Sequence, residues 1–121
     1  MKVSIGSKIV EGPYGGGNLF VKNLALYLNK TGNSVVYDLE DKDIDIVLII
    51  NPLKHSESAT FNHLDALYYS KFINPNAIII QRVNECDERK QTNSVNKQII
   101  KHNMNMDFNF FVSEWIRGVF I

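Results

Sequence analysis

The sequence predicts an α/β fold, a three-layer α/β/α sandwich around a Rossmann-like, mainly parallel sheet of about five strands. Five apolar runs alternate with three amphipathic helical patterns and the start of a fourth, which is the order of βαβ units. The runs at 45–50 and 108–112 are apolar at almost every position, as in strands that helices cover on both faces. A glycine-rich turn follows the first run and leads directly into the first helix.

The strands are expected where apolar residues cluster between turn signals. The five predicted strands are Lys2–Val10, Ser34–Tyr37, Asp45–Ile50, Ala77–Val83 and Phe108–Val112. The first helix is predicted over Leu19–Lys30, with Asn18 as its N-cap and Gly32 as its stop signal. Its apolar stripe consists of Phe20, Leu24 and Leu28.

A second helix is predicted over about 60–72 and ends at Asn74-Pro75-Asn76. Its expected inner face carries Phe61, Leu64, Tyr68 and Phe72. A third helix, near Asn93–Asn105, is expected to turn Val95, Ile99 and Met106 towards the sheet.

Ser113 is the predicted N-cap of a last helix, in which Trp115 packs on the domain or on whatever follows it. This last pattern is strongly apolar and ends at Ile121, so we expect the sequence to be cut from a longer protein.

The bulk composition limits the classes of function. A chain of 121 residues corresponds to one domain, 1–121, and no linker marks a second. Thirteen basic side chains balance thirteen acidic ones, which argues against nucleic-acid binding through a global field. A single cysteine, Cys86, and the lack of a signal peptide predict a cytoplasmic protein. The longest apolar run, at 46–50, is too short for a transmembrane segment.

The glycine-rich turn spans Gly12 to Asn18. A P-loop is excluded because Asn18-Leu19 stand where Lys and Ser or Thr are required. A dinucleotide fingerprint is weakened because Phe20 replaces its third glycine, although Asp38 is well placed for a ribose. A loop that approaches a sugar or diphosphate and a plain tight turn both remain open.

Four segments in order resemble the amino-terminal half of a GT-B glycosyltransferase, and most of all the retaining family 4 enzymes. They are Gly12-Pro13-Tyr14-Gly15-Gly16-Gly17-Asn18, Leu24 to Gly32, the decapeptide Gln81 to Lys90, and Phe111-Val112-Ser113-Glu114-Trp115. The similarity covers essentially the whole chain, and the decapeptide is its more specific part. The glycine turn is shared by many folds.

The resemblance implies that Gly15, Gly16, Gly17 and Asn18 line a cleft between two domains and that Tyr14 stacks on a sugar or gates it. In the family, the loop after strand four usually bears an active-site histidine. Here that stretch reads Arg82-Val83-Asn84-Glu85.

Sugar transfer needs donors for phosphate and acceptors for hydroxyls, because charge develops on both the anomeric carbon and the leaving group. Arg82 offers a forked donor to phosphate, while Glu85 and Asp87 accept from hydroxyls and Asn84 does both. We therefore expect Asn84, Glu85 and Asp87 to be catalytic and Arg82 to bind substrate. A solvated turn with local ion pairs is the alternative for this stretch. Ser113, besides capping, is a candidate contact to donor phosphate.

No metal site is expected, because His55, His63 and His102 lack the spacing of a metal pair and are more simply surface or helix-side residues. No cofactor is implied beyond the nucleotide-sugar substrate. The expected partners are a nucleotide sugar, a sugar or other hydroxyl acceptor, and a carboxy-terminal domain or partner chain that holds the nucleotide. We therefore expect the isolated chain to be inactive or nearly so. The alternatives are a small NAD-binding or reductase-like domain and a binding or assembly module that dimerises through its apolar carboxyl end.

Overall fold

The structure is a computed structural model and describes residues 1–11, 16–51, 58–84 and 86–121. These ranges contain five strands with five α-helices interspersed, and a five-residue π-helical segment, Tyr69–Ile73, extends the second helix. The strands are β1 (Lys2–Ile5), β2 (Ser34–Val36), β3 (Ile46–Ile49), β4 (Ile78–Val83) and β5 (Phe108–Phe111). The helices are α1 (Gly16–Lys30), α2 (His63–Tyr68), α3 (Asp87–Lys90), α4 (Val95–Asn103) and α5 (Glu114–Phe120).

All four strand pairs are parallel, in the order β2-β1-β3-β4-β5, which confirms the predicted Rossmann-like α/β fold. Register places Val3 beside both Val35 and Ile46, so β1 lies between β2 and β3, and β3 is the central strand. The order reverses direction between β1 and β3, the point at which open α/β sheets leave a crevice at the carboxyl ends of their strands. The predicted first strand was too long, because the chain leaves the sheet at Gly6.

Helices cover the two faces of the sheet unequally. On one face, α1 buries Val21 and Ala25 against Val3, Ile5 and Leu48. On the other face, α2 and the π-helical segment pack on β3 and β4, while α4 and α5 meet around Val83 and Ile99. The predicted stripe of α1 lies at the edge of its core, since Phe20, Leu24 and Leu28 are only partly buried. No helix among the described residues is long and apolar enough to cross a membrane.

The prediction that Asn18 is the N-cap of the first helix was wrong. The helix already includes Gly16, and the Asn18 side chain reaches back to the segment that follows β1. Its Oδ1 accepts from the Val10 amide at 2.8 Å and its Nδ2 donates to the Val10 carbonyl at 2.7 Å. Val10 has left the sheet and has no strand partner for these two groups, so a side-chain amide that both donates and accepts satisfies them together.

Of the predicted inner face of the second helix, Phe61 is buried as expected, although it precedes the helix, and the other three residues were predicted wrongly. Leu64, Tyr68 and Phe72 are 62%, 62% and 63% exposed, whereas Ala66 and Tyr69 are buried. Tyr69 turns inwards because its hydroxyl serves two backbone groups, accepting from the Ile44 amide at 3.1 Å and donating to the Asp41 carbonyl at 2.7 Å. The small side chain of Ala66 then lets the helix approach the sheet closely.

The start of α2 is fixed by a capping box that the sequence reasoning missed. Asn62 Oδ1 accepts from the Asp65 amide and Asp65 Oδ2 accepts from the Asn62 amide, each at 3.0 Å. The helix therefore begins at His63 rather than near residue 60. It ends in the π-helical turn before Asn74, as predicted.

The last two predicted helices are largely confirmed. The third helix is α4, in which Val95 and Ile99 are buried as expected. Ser113 caps α5 by accepting from the Ile116 amide at 3.2 Å. Ile116 provides the contact with the domain, while Trp115 is 57% exposed.

Candidate functional site

A pocket of about 230 Å³ opens at the carboxyl ends of β1, β3 and β4, beside the amino end of α1. It adjoins the point where the strand order reverses, the usual ligand position in open parallel sheets. Its described lining residues are Gly6, Ser7, Lys8, Val10, Gly17, Asn18, Ile50, Asn51, Ser58, Ala59, Arg82 and Asn84.

One wall of the pocket forms where the chain after β1 meets residues 58–60. Ser7 and Ala59 form an isolated antiparallel bridge, and the Lys8 amide donates to the Ser58 carbonyl at 2.8 Å. Gly6 allows this close approach, because a Cβ there would lie 2.9 Å from Phe61 Cε1 and 3.2 Å from the Leu48 carbonyl oxygen. The wall therefore depends on a glycine at position 6.

Arg82 is the most unusual side chain of the site. It is only 7% exposed, and its Nε and Nη1 are buried without a hydrogen-bond partner among the described residues. Its guanidinium carbon lies 4.8 Å from the centroid of the Phe20 ring, which in turn stacks on Phe110 at 5.9 Å. This cation–π contact holds the guanidinium beside the first turn of α1.

The electrostatics around Arg82 are positive. Burial, and then the charge of Arg89, lower the pKa of the Arg82 guanidinium, since both disfavour its charged form. Lys8 also lines the pocket, and none of the described lining residues is acidic. Within the described lining, an anionic ligand would therefore meet charges of opposite sign only.

Asn84 follows β4 and supplies a hydrogen-bond acceptor, whereas Arg82 supplies only donors. Its Oδ1 is buried without a hydrogen-bond partner among the described residues, so a hydroxyl or amide of a ligand has an acceptor here. Arg89 fixes the backbone at this position by donating from Nη1 to the Asn84 carbonyl at 3.1 Å.

Gln81 and Arg82 are consecutive in β4, so their side chains point to opposite faces of the sheet. Gln81 Nε2 donates to Asn103 Oδ1 at 2.6 Å.

Asp87 lies outside the pocket and has a structural role. Its carboxylate accepts from the Thr92 hydroxyl at 2.6 Å and from the amides of Val95 and Asn96 at 2.9 and 3.1 Å. These hydrogen bonds lower the pKa of Asp87, and the bond from Thr92 has the largest effect. They join α3 to the amino end of α4, so the carboxylate is already occupied.

The other predicted site residues fall into three groups. Gly17 and Asn18 line the pocket, and Gly16 begins the helix beside it. Ser113 caps α5 and does not line the pocket. Tyr14, Gly15, Glu85 and His55 lie outside the described residues.

Asp38, the candidate ribose ligand, is exposed and does not line the pocket. Its Oδ1 accepts from the Glu40 amide at 3.1 Å. Across the described ranges, no three side chains of the metal-binding types come together at a spacing that could hold an ion.

Sequence reasoning missed several residues at or near the site. Gly6 and Ser7 directly follow β1, which ends at Ile5. A sequence prediction that ended the strand there would have placed both residues at the carboxyl edge of the sheet. The sequence reasoning also missed a contact that does not line the pocket, the stacking of His63 on His102, with ring centroids 3.5 Å apart. No sequence signal links these two residues, because they belong to different helices.

Comparisons with known proteins show no relative for this chain. A scan against models of protein families, a search of curated proteins and a search of solved structures each found no match. The fold is therefore established by the sheet itself: five parallel strands in the order β2-β1-β3-β4-β5 with interspersed helices. This architecture is Rossmann-like and hosts many activities, so function has to be argued from the pocket.

Proposed function

We propose that the chain is the acceptor-side domain of a GT-B glycosyltransferase, which transfers a sugar from a nucleotide-sugar donor to a hydroxyl acceptor. The supporting observation is that two distant segments meet at one pocket, Gly17 and Asn18 from the first helix and Arg82 and Asn84 from the end of β4. The same two segments carry the resemblance to that family. The pocket also lies at the carboxyl edge of a parallel sheet, where ligands bind in such folds.

The pocket offers the groups that sugar transfer requires. The substrates of sugar transfer carry anionic phosphates, and the buried Arg82 guanidinium with the amino end of α1 is suited to hold one such phosphate. A sugar hydroxyl finds an acceptor in Asn84 Oδ1. Asp87 has no part in this scheme, since its carboxylate is bound to Thr92 and α4.

We also propose that the nucleotide is held mainly by a second domain or a partner chain. The pocket is small for a complete nucleotide sugar, since sites for drug-sized ligands usually enclose about 300–1,000 Å³. A second wall would add the missing contacts. The 121 residues alone are then expected to turn over sugar nucleotides slowly or not at all, and efficient transfer by the isolated chain would contradict this part of the proposal.

The experiment is an amide NMR titration of the chain with UDP-glucose, GDP-mannose and NAD, alone and with a mixture of sugar acceptors. We expect a nucleotide sugar to shift the amides of Gly17, Asn18, Arg82 and Asn84 while NAD leaves them unchanged. The matched control is Asp38→Ala, which removes the only candidate ribose ligand raised by the sequence and leaves the pocket intact. Shifts with NAD alone that are lost in Asp38→Ala would favour a dinucleotide-binding domain and overturn the proposal.

A further inference from the structure

The carboxyl-edge pocket contains a buried cation, Arg82, with no acidic side chain among the described lining residues. Arg82 is 93% enclosed, and neither Nε nor Nη1 has a hydrogen-bond partner among the described residues. Leaving a buried charge unpaired is unfavourable, and proteins rarely keep one without a compensating group. The Phe20 ring covers one face of the guanidinium but accepts no hydrogen bond in its plane. Among the described residues nothing accepts from Nε or Nη1, so these two in-plane donors can serve a ligand.

The amino end of α1 points at the same space. A Cβ on Gly17 would lie 3.9 Å from Arg82 Nη1, so the guanidinium and the first turn of the helix are neighbours. A helix of this length presents amide N–H groups and the positive end of its dipole at that turn. Two independent positive features thus converge, and Lys8 adds a third at the rim.

The remaining lining groups indicate what the anion is attached to. Asn84 Oδ1 is a buried acceptor without a partner among the described residues, and it calls for a hydroxyl or amide on the same ligand. None of the described lining residues is aromatic, so these residues offer a nucleobase no stacking surface. Its volume suits a small polar molecule better than a complete nucleotide.

We infer that this pocket binds a phosphorylated sugar or polyol, with the phosphoryl group between Arg82 and the amino end of α1 and a hydroxyl donating to Asn84 Oδ1. The inference rests on the proposed function and assigns its acceptor to the class of sugar phosphates. A phosphoryl group is preferred to a carboxylate because three oxygens reach both the forked guanidinium and the helix amides at once. The donor's diphosphate is the competing source of the same chemistry.

The test is a set of parallel titrations of the chain with glucose 1-phosphate, glycerol 3-phosphate, inorganic phosphate, glucose and UDP, followed through the amides of Gly17 and Asn18. We expect the two phosphorylated polyols to bind several-fold more tightly than inorganic phosphate and glucose to give no shift. UDP should bind no more tightly than inorganic phosphate. Loss of a charge-assisted hydrogen bond in Arg82→Gln should weaken every phosphate ligand by about tenfold or more.

Three further variants separate the parts of the site. Asn84→Ala should weaken glucose 1-phosphate and leave inorganic phosphate unchanged, because only the polyol uses Oδ1. Gly17→Ala adds a methyl group beside Nη1 at an ordinary contact distance, so it should fold normally and still reduce phosphate binding. Gly118→Ala, where a Cβ meets nothing within 4 Å, is the matched control and should bind as the parent chain does.

The outcomes are distinct. Arg82-dependent binding that is tightest for UDP would overturn the ligand class in favour of the donor diphosphate. Failure of every phosphate to bind in an Arg82-dependent way would overturn the site itself, even if nucleotide sugars still shift the pocket amides. Sugar-phosphate binding with no effect of any nucleotide sugar would leave the site standing and overturn the proposed function alone.

Discussion

At the scale of single residues, Gly6 is the position where the addition of one methyl group should have a large effect on stability. A Cβ added there would lie 2.9 and 3.0 Å from two carbons of the Phe61 ring and 3.2 Å from the Leu48 carbonyl oxygen. The carbonyl belongs to β3 and cannot move without disturbing its pairing with β1. We expect Gly6→Ala to lower the free energy of unfolding by about 1–3 kcal/mol, the usual cost of overpacking, as measured by urea denaturation.

The matched control for Gly6→Ala is Gly118→Ala. No atom lies within 4 Å of a Cβ at position 118, and alanine is the better helix former, so this variant should be neutral or slightly more stable. Equal stability of the two variants would show that the segment after β1 relaxes freely and that the glycine is not required.

The stacked imidazoles of His63 and His102 predict a dependence of stability on pH. Burial, and then the nearby charge of His102, lower the pKa of His63, while Asp65 raises it and Lys101 lowers it further. The unfolded chain therefore takes up a proton at His63 at a higher pH than the folded chain does. Stability should be constant above the unfolded pKa of about 6.5 and fall as the pH drops from there towards the folded pKa.

Urea denaturation between pH 5 and 8, with NMR titration of the imidazole protons, measures this effect. His63→Gln removes the titrating ring and should flatten the profile in that window. A His63 that titrates in the folded chain at its ordinary pKa or above would contradict the prediction, because stability would then not fall on protonation.

At the scale of the elements, one side chain joins α1 to the segment after β1. Asn18 both accepts from and donates to the Val10 backbone, at 2.8 and 2.7 Å, and both residues line the pocket. Asn18→Leu leaves two backbone groups without these bonds and should cost about 1–3 kcal/mol in thermal or urea unfolding. Asn23→Leu, at an exposed position of the same helix, is the control and should change stability little. Similar losses in both variants would indicate a general effect on the helix.

The turn between α3 and α4 depends on Asp87 in the same way. Its carboxylate accepts from Thr92, Val95 and Asn96, which satisfies amides at the start of α4. We expect Asp87→Ala to speed hydrogen exchange at the amides of Val95 and Asn96. Glu88→Gln, which changes contacts with the side chains of Asn96 and Cys86 but leaves the Asp87 bonds in place, should change their exchange much less. Unchanged exchange in Asp87→Ala would leave the carboxylate available for the catalytic role predicted from the sequence.

At the scale of the whole molecule, apolar surface remains uncovered around β5 and the carboxyl end. Phe108 is 62% exposed, Trp115 57% and Ile121 79%. Exposed apolar surface of this kind favours association, and we expect the chain to dimerise reversibly as its concentration rises. Sedimentation should show a shift to monomer in Trp115→Ala, with Tyr27→Ala, which is exposed on α1, as the control. A monomer at every concentration would contradict the prediction.

The sheet could be predicted from the sequence because its signals are local. Each strand is a short apolar run bounded by turn residues, and β2 to β5 were located to within one residue at each end. The end of β1 was the largest error. Ile9 and Val10 have the apolar side chains of strand residues, but the backbone after Ile5 pairs with residues 58–60 or with Asn18. The burial of α2 was misjudged for a related reason. A periodicity argument considers only the spacing of apolar side chains along the helix. Tyr69 is buried because its hydroxyl bonds to backbone groups that are distant in sequence.

For the candidate site, too, some features could be predicted from the sequence and others could not. The sequence by itself determined that a glycine-rich helix start and a polar strand end both lie at the carboxyl edge of a parallel sheet, since topology follows from the alternation of elements. Only the tertiary structure decided that Arg82 is enclosed and lacks a partner among the described residues, and that Asp87 is committed to α4. Burial and hydrogen bonding depend on which distant residues come into contact, and neither spacing nor residue type encodes those contacts.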